Sequence, residues 1–249
     1  MKPLVLVVDI GNTSTAFGLY CAGRVSRVHR METARSTPAE ISRLVKKIGK
    51  DLRIDGVCIA SVAPRMNAAW RAAVNHRVVW VDHRKKLGIG VTYPKPATIG
   101  ADRLANAAGG VAKYGAPLIV ADFGTAVTFD VVLPVKGYVG GVIAPGLPLM
   151  FSYLAEKTAK LPRIGPGPVK RSVGKSTEDA MRRGAAWGYR GMVREIVGEL
   201  QKTPGLKRAR LCATGGFAKW VVKGLKPAMR VDQDLTLYGI GRIYELNRP

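Results

Sequence analysis

Leu4-Val5-Leu6-Val7-Val8-Asp9-Ile10-Gly11-Asn12-Thr13 is the stretch from which the fold of this chain is read. An unbroken apolar run fits a strand covered on both faces. It then delivers a carboxylate, a glycine and short polar side chains. The same arrangement returns at Leu118-Ile119-Val120-Ala121-Asp122-Phe123-Gly124-Thr125-Ala126, an offset of 122 − 9 = 113 in a chain of 249 residues. Each copy continues into a second strand-like stretch, Ala16-Phe17-Gly18-Leu19-Tyr20 and Val127-Thr128-Phe129-Asp130-Val131-Val132. The pattern predicts a duplicated strand-turn-strand, with two facing turns that hold a phosphate ligand and its cation between them.

Working outward, strands are expected at 4–9, 15–20 and about 24–31. Thr37-Pro38-Ala39-Glu40 is a helix start, with a capping threonine, proline at the first helical position and glutamate closing the capping box. Ile41, Leu44, Val45 and Ile48 give that helix its apolar face, and Gly49 ends it. A strand at 57–60, a helix at 65–75 and a strand at 78–81 follow. Residues 84–99 read as a loop, and Gly100-Ala101-Asp102-Arg103 then opens an alanine-rich helix, Leu104 to about Tyr114. The second half repeats the order. Strands are expected at 117–122, 126–133 and 137–143, then a helix at 147–158 and a loop at 160–173. A long helix at 178–201 starts at Thr177, with Ala180, Met181, Ala185, Trp187, Gly188, Met192 and Ile196 as its apolar positions. A strand at 211–214 breaks at Gly215-Gly216, and helices at 217–225 and 235–246 close the chain. The predicted class is α/β, in two domains, 1–112 and 113–249, each a mixed sheet covered by helices.

Composition excludes several classes. No apolar run approaches the roughly 20 residues of a membrane span, and the N-terminus lacks the pattern of a signal peptide. Cys21, Cys58 and Cys212 are odd in number and far apart, and His29, His76 and His83 have no metal spacing. A reducing cytoplasm is the expected location. The 40 basic against 17 acidic residues give a net charge of +23, which raises the question of a nucleic-acid partner. The basic residues are scattered, however, and only Arg84-Lys85-Lys86 forms a run. A solvated basic surface is the preferred reading.

The motifs point to phosphate chemistry. In Asp9-Ile10-Gly11-Asn12-Thr13 the glycine lets backbone N–H groups turn toward one point, a nest suited to phosphate oxygens. Asn12, Thr13, Ser14 and Thr15 add short donors. Asp9 can hold a hydrated magnesium ion, which commonly takes one or two carboxylates and keeps waters. A plain β-hairpin turn would use the same residues, and the echo at Asp122 decides for the functional reading. Gly100-Ala101-Asp102-Arg103 reads either as a helix N-terminus, where Asp102 suits the dipole and Arg103 is surface, or as a general base beside an anion-binding guanidinium. Ala213-Thr214-Gly215-Gly216 reads either as a tight turn or as a flat backbone surface for a base or ribose. Asp122-Phe123-Gly124 matches the protein-kinase metal motif by letters, but the glycine-rich and HRD segments that motif requires are missing. Gly174-Lys175-Ser176-Thr177 fails the P-loop pattern, which needs a glycine where Val169 stands.

Together these motifs resemble the type III pantothenate kinases, within the actin and sugar-kinase superfamily. The resemblance runs nearly end to end. It is carried by Asp9 to Thr13, Ser61-Val62-Ala63-Pro64, Tyr93-x-x-Pro96-x-x-x-Gly100-Ala101-Asp102-Arg103 and Asp122-Phe123-Gly124-Thr125-Ala126. It continues in Gly140-Gly141-x-Ile143-x-Pro145-Gly146, Thr158-Ala159-x-Leu161-Pro162, Gly174 to Thr177, Thr214-Gly215-Gly216 and Asp234-Leu235-x-Leu237-x-Gly239. It implies a duplicated ribonuclease-H-like, actin-like ATPase fold. It also implies ATP-dependent phosphorylation of pantothenate, the first step toward coenzyme A, by direct in-line transfer. The loop Asp9, Ile10, Gly11, Asn12, Thr13, Ser14, Thr15, Ala16 would hold ATP phosphates, with Asp9 near Mg²⁺. Gly124 and Thr125 would contact phosphate, and Gly215 and Gly216 would lie on the adenosine side. Asp122 matches the residue that binds a monovalent cation, K⁺ or NH₄⁺. Tyr93, Gly100, Ala101, Asp102, Arg103 and Thr177 match pantothenate contacts, with Asp102 as catalytic base. A homodimer whose substrate pocket borrows from the partner is implied too. Two alternatives stay open at this point: a non-enzymatic regulator that binds nucleic acid on the same scaffold, and a kinase of another small alcohol.

Overall fold

The computed structural model describes residues 2–50, 52–169 and 173–248. In chain order the strands are β1 (Val5–Ile10), β2 (Ser14–Cys21), β3 (Arg24–Glu32), β4 (Gly56–Ser61), β5 (Val78–Trp80), β6 (Leu118–Phe123), β7 (Ala126–Leu133), β8 (Gly137–Pro145), β9 (Arg210–Thr214) and β10 (Arg230–Val231). The helices are α1 (Pro38–Ile48), α2 (Asn67–Ala73), α3 (Ala101–Tyr114), α4 (Leu147–Lys157), α5 (Thr177–Lys202), α6 (Ala218–Val222) and α7 (Leu235–Leu246). None is long and apolar enough to cross a membrane.

The first compact unit comprises Met1–Gly115, Pro134–Val139 and Asp234–Pro249. Its sheet has the order β3-β2-β1-β4-β5. β1, β2 and β3 form an antiparallel meander, and β4 and β5 add on parallel to β1. α1 begins as its sequence dictates: Thr37 accepts from the Glu40 backbone, Glu40 reaches back to Thr37, and Pro38 fills the first turn. Leu6, Val8 and Ile10 of β1 meet Phe17, Ile41 and Trp70 in one apolar core. The opposite face is covered by α7 and α3, which approach closely. A β-carbon on Gly109 would stand 2.9 Å from Gly239 Cα, and Thr236 donates to the buried Asn106 side chain at 2.7 Å.

The second unit comprises Ala116–Leu133 and Gly140–Gln233. Its sheet order is β10-β9-β6-β7-β8. β6 and β7 form the second antiparallel hairpin, and β9 lies parallel to β6 on its other side. This repeats the arrangement of β1, β2 and β4, so the duplicated α/β architecture read from the two Asp-Gly turns is present.

The structure differs from the sequence reading in five places. The units are not the contiguous stretches 1–112 and 113–249, because α7 and the segment Pro134–Val139 belong with the first unit. Along α5 the buried residues are Met181, Arg183, Ala185, Ala186, Tyr189, Val193 and Val197, whereas Trp187 is 54% exposed and Gly188 is exposed. The helix expected at 65–75 is a 3-10 turn at Pro64–Met66 followed by the short α2, and the helix expected at 217–225 is the five-residue α6. Finally, β10 is a two-residue strand, too short to show a period. In the loop expected at 160–173, residues 170–172 lie outside the described residues, and the rest has no strand or helix.

Candidate active site

In the first unit the site gathers at the C-terminal ends of the parallel strands β1 and β4, where open α/β sheets commonly place ligands. Asp9 is the penultimate residue of β1 and is partly exposed, while its neighbours Val8 and Ile10 are fully buried. The turn is closed by the Gly11 N–H donating to Ser14 O at 3.1 Å. A β-carbon at Gly11 would lie 2.8 Å from that same oxygen, so the tightness of the turn calls for glycine. Asn12, Thr13 and Ser14 are exposed at the tip and can face a ligand.

Thr15 and Ala16 are placed differently from the rest of the expected phosphate loop. Both are buried in β2, and the Thr15 hydroxyl shares a 2.9 Å hydrogen bond with that of Thr33. Thr33 also donates to Gly11 O at 2.9 Å, and its N–H donates to Thr13 O at 3.0 Å. Thr15 and Thr33 therefore brace the turn from behind. Sequence reading passed over Thr33, because a lone threonine after a strand carries no local signal.

The Val62 N–H donates to Ile10 O at 2.9 Å, and the Val62 side chain comes against Gly100, the N-cap residue of α3. This links the Asp9 turn to Gly100-Ala101-Asp102-Arg103. A β-carbon at Gly100 would stand 2.5 Å from Asp102 Oδ1, so glycine leaves room for the carboxylate. Asp102 Oδ1 accepts the Arg103 N–H at 2.8 Å. Burial of the carboxyl pushes its acid above the ordinary aspartate range, against the opposing pull of the Arg103 N–H and charge. A carboxylate raised in this way is a better proton acceptor than a solvated one. Tyr93 joins the group through Tyr138, whose ring it meets edge-on at 6.1 Å and over which Arg103 Cζ lies at 5.8 Å.

In the second unit Asp122 holds the same place on β6 that Asp9 holds on β1. The hairpin that follows is tighter. The Gly124 N–H donates to Ala126 O at 3.0 Å, and Thr125 is exposed with its carbonyl accepting the Gly146 N–H at 3.1 Å. Gly215 has φ +89°, and a β-carbon there would overlap Asp122 Oδ1 and stand 2.7 Å from the Phe123 backbone. The Gln233 side chain donates to Gly215 O at 3.0 Å, and Gly216 is exposed. Asp122, Thr128 and Thr214 are register partners on three adjacent strands and so share one face of the sheet. The Thr214 hydroxyl is buried and, among the described residues, has no hydrogen-bond partner. Thr177 also lies in this unit, exposed as the first residue of α5, and Ser176 rather than Thr177 caps that helix. Among the described residues, no three His, Cys, Asp or Glu side chains gather as a metal cage.

The type III pantothenate kinase family model matches residues 5–199, across both Asp-Gly turns and the Gly100–Arg103 segment. The chain belongs to the type III pantothenate kinase family. A relative of that name from Akkermansia muciniphila is 41% identical over 94% of this chain and 96% of its own. Another, from Methylacidiphilum infernorum, is 37% identical over 97% and 88%. Among solved structures, a Campylobacter jejuni protein described as a conserved putative Baf family transcriptional activator aligns with a TM-score of 0.63 at 18% identity, covering 97% of this chain and 98% of its own. A ROK family glucokinase from Streptomyces griseus, solved with glucose and AMPPNP, aligns with a TM-score of 0.57 at 14% identity over 96% and 98%. At such identities the likeness is one of fold, the duplicated architecture of the family and of sugar kinases.

Proposed function

We propose that this chain transfers the γ-phosphoryl group of ATP to the primary alcohol of pantothenate, opening the route to coenzyme A, with Asp102 as the general base. Family membership supports the reaction. The observation that carries the role of Asp102 is its carboxylate, set at the start of α3 beside Arg103, cleared by Gly100 and raised by burial. Arg103 suits the substrate carboxylate, and Tyr93, Gly100, Ala101 and Thr177 are the further substrate contacts. Phosphoryl transfer depends mostly on positioning and charge neutralisation, so one base and bound cations suffice.

ATP phosphates are assigned to the backbone and tip of the Asp9 turn and to Gly124 and Thr125, with the adenosine side on Gly215 and Gly216. Magnesium would come with the nucleotide and be held by Asp9 through water. Asp122 is assigned the monovalent cation, K⁺ or NH₄⁺, which would neutralise phosphate charge. The residues fit such an ion: the Thr214 hydroxyl, on the strand next to Asp122, is a buried oxygen without a partner among the described residues. The enzyme is assigned to the cytoplasm, and its scattered basic charge to a solvated surface rather than to nucleic acid.

A homodimer is part of the proposal. Leu149 and Tyr153, one turn apart on α4, are 44% and 61% exposed. A second copy is the occupant that the family resemblance implies. Sedimentation of the wild type as a dimer, and of Tyr153→Glu as a monomer, is the expected outcome.

The test of function is phosphorylation of pantothenate by Mg-ATP with K⁺ or NH₄⁺ present. Wild type should turn over, and Asp102→Asn should lose about 10²–10⁴-fold in kcat. Full turnover in Asp102→Asn would remove the base assignment, and turnover of other small alcohols in place of pantothenate would remove the substrate.

A further inference from the structure

Tyr138 is absent from every motif considered above, yet it is fully buried and touches two of the assigned substrate contacts. It lies on the segment Pro134–Val139, which folds with the first unit although it follows the second hairpin in sequence. The loop before Tyr93 is fastened to it by backbone. The Tyr138 N–H donates to Gly90 O at 2.8 Å, the Thr92 N–H donates to Tyr138 O at 3.0 Å, and Val91 pairs with Tyr138 as a parallel bridge. The fit is close, since a β-carbon on Gly137, at φ +72°, would come within 2.6 Å of Gly90 Cα. Through this clasp the Tyr93 ring stands edge-on to the Tyr138 ring, and the Arg103 guanidinium carbon lies over that ring.

We propose that Tyr138 is a positioning residue that aims Arg103, and with it Tyr93, at the carboxylate end of the substrate. The inference rests on the reading of Arg103 and Tyr93 as substrate contacts. An arginine side chain has several free rotors, and holding its planar fork ready before binding lowers the cost of capturing a carboxylate. The electron-rich face of a phenol ring, within about 6 Å of the guanidinium, supplies that hold without consuming the N–H donors needed for the ligand. Because Tyr138 is buried, it acts through its two neighbours and not by touching the substrate.

The experiment is steady-state kinetics on the full chain with position 138 occupied in turn by phenylalanine and by its mono-, di- and trifluorinated forms. Fluorine drains the ring face while nearly keeping its shape, so thermal melts should barely move. Tyr138→Phe should keep the KM for pantothenate within about twofold, and successive fluorines should raise it toward about tenfold. The KM for Mg-ATP should stay constant throughout. The series should go flat in an Arg103→Ala background, as a coupled pair requires. A flat series in the Arg103 enzyme, or an equal rise in both KM values, overturns the inference. Failure of the wild type to phosphorylate pantothenate overturns instead the substrate reading on which it rests, so the two failures are distinguishable.

Discussion

The turn after Asp9 and the turn after Asp122 share a strand, a carboxylate and a glycine, but the fold packs them differently. The first leaves Asn12, Thr13 and Ser14 exposed and is braced from behind through Thr33. The second is held from two sides: Gly146 donates to Thr125 O, and Gly215 presses against the Asp122 carboxylate. A turn with an open polar tip suits a ligand that arrives and leaves, such as a nucleotide phosphate. A carboxylate fixed by backbone on one flank, with the orphan Thr214 hydroxyl on the next strand, suits a small ion held in place. On the proposed reading, the different packing partners divide the labour between the two turns.

Substitution should expose this difference. The largest effect is expected from Gly215→Ala, which combines a positive φ with overlap onto Asp122 and the Phe123 backbone. A loss of about 3 kcal/mol or more in urea unfolding is expected. Gly11→Ala meets only Ser14 O, in a loop with an exposed tip, and should lose about 1 kcal/mol. Equal losses would mean that the two turns are packed alike. Thr33→Val comes next. It strips the hydrogen bonds to Gly11 O and the Thr15 hydroxyl and should cost about 1–2 kcal/mol. Because it loosens only the first turn, it should raise the KM for Mg-ATP and leave the response to K⁺ unchanged.

The smallest signal is one of sign, and it concerns the third carboxylate. Burial raises the Asp102 acid in the folded chain above its unfolded value of about 3.9. The folded state therefore binds the extra proton, and this group's contribution to stability falls as pH rises from the unfolded toward the folded value. Asp102→Asn removes that penalty. The variant should match wild type below about pH 3.9 and gain on it as pH rises, levelling off above the folded value. In the wild type, the acid limb of kcat/KM should lie above the ordinary aspartate range. Unfolding curves for both chains across pH check the sign. A variant that falls behind wild type as pH rises would contradict the burial argument.

Much of this was legible in the sequence wherever the signal was local. The Thr37–Glu40 capping box, the β1–β2 and β6–β7 hairpins and the span of α7 each follow from a few neighbouring residues. The docking partner was not legible. Periodicity marks the apolar residues of α7 but not that they meet α3 and the first sheet. On α5 the frequent Ala and Gly blur the period, so Trp187 was read as buried when it is exposed. Within the candidate site, Asp9 and Asp122 are legible because the strand-carboxylate-glycine pattern occurs twice, and Asp102 because Gly100-Ala101-Asp102-Arg103 resembles the family motif. Thr33, Thr214 and Tyr138 are not, because each acts through a cross-strand or cross-loop contact that no spacing encodes.

The division of labour between the two turns is tested most directly by the K⁺ or NH₄⁺ dependence of pantothenate phosphorylation in Asp122→Asn and Asp9→Asn, measured side by side. Asp122→Asn should lose activation by the monovalent ion, while Asp9→Asn should retain it and show instead a raised KM for Mg-ATP. An Asp122→Asn enzyme that responds to K⁺ or NH₄⁺ as wild type does would contradict that division.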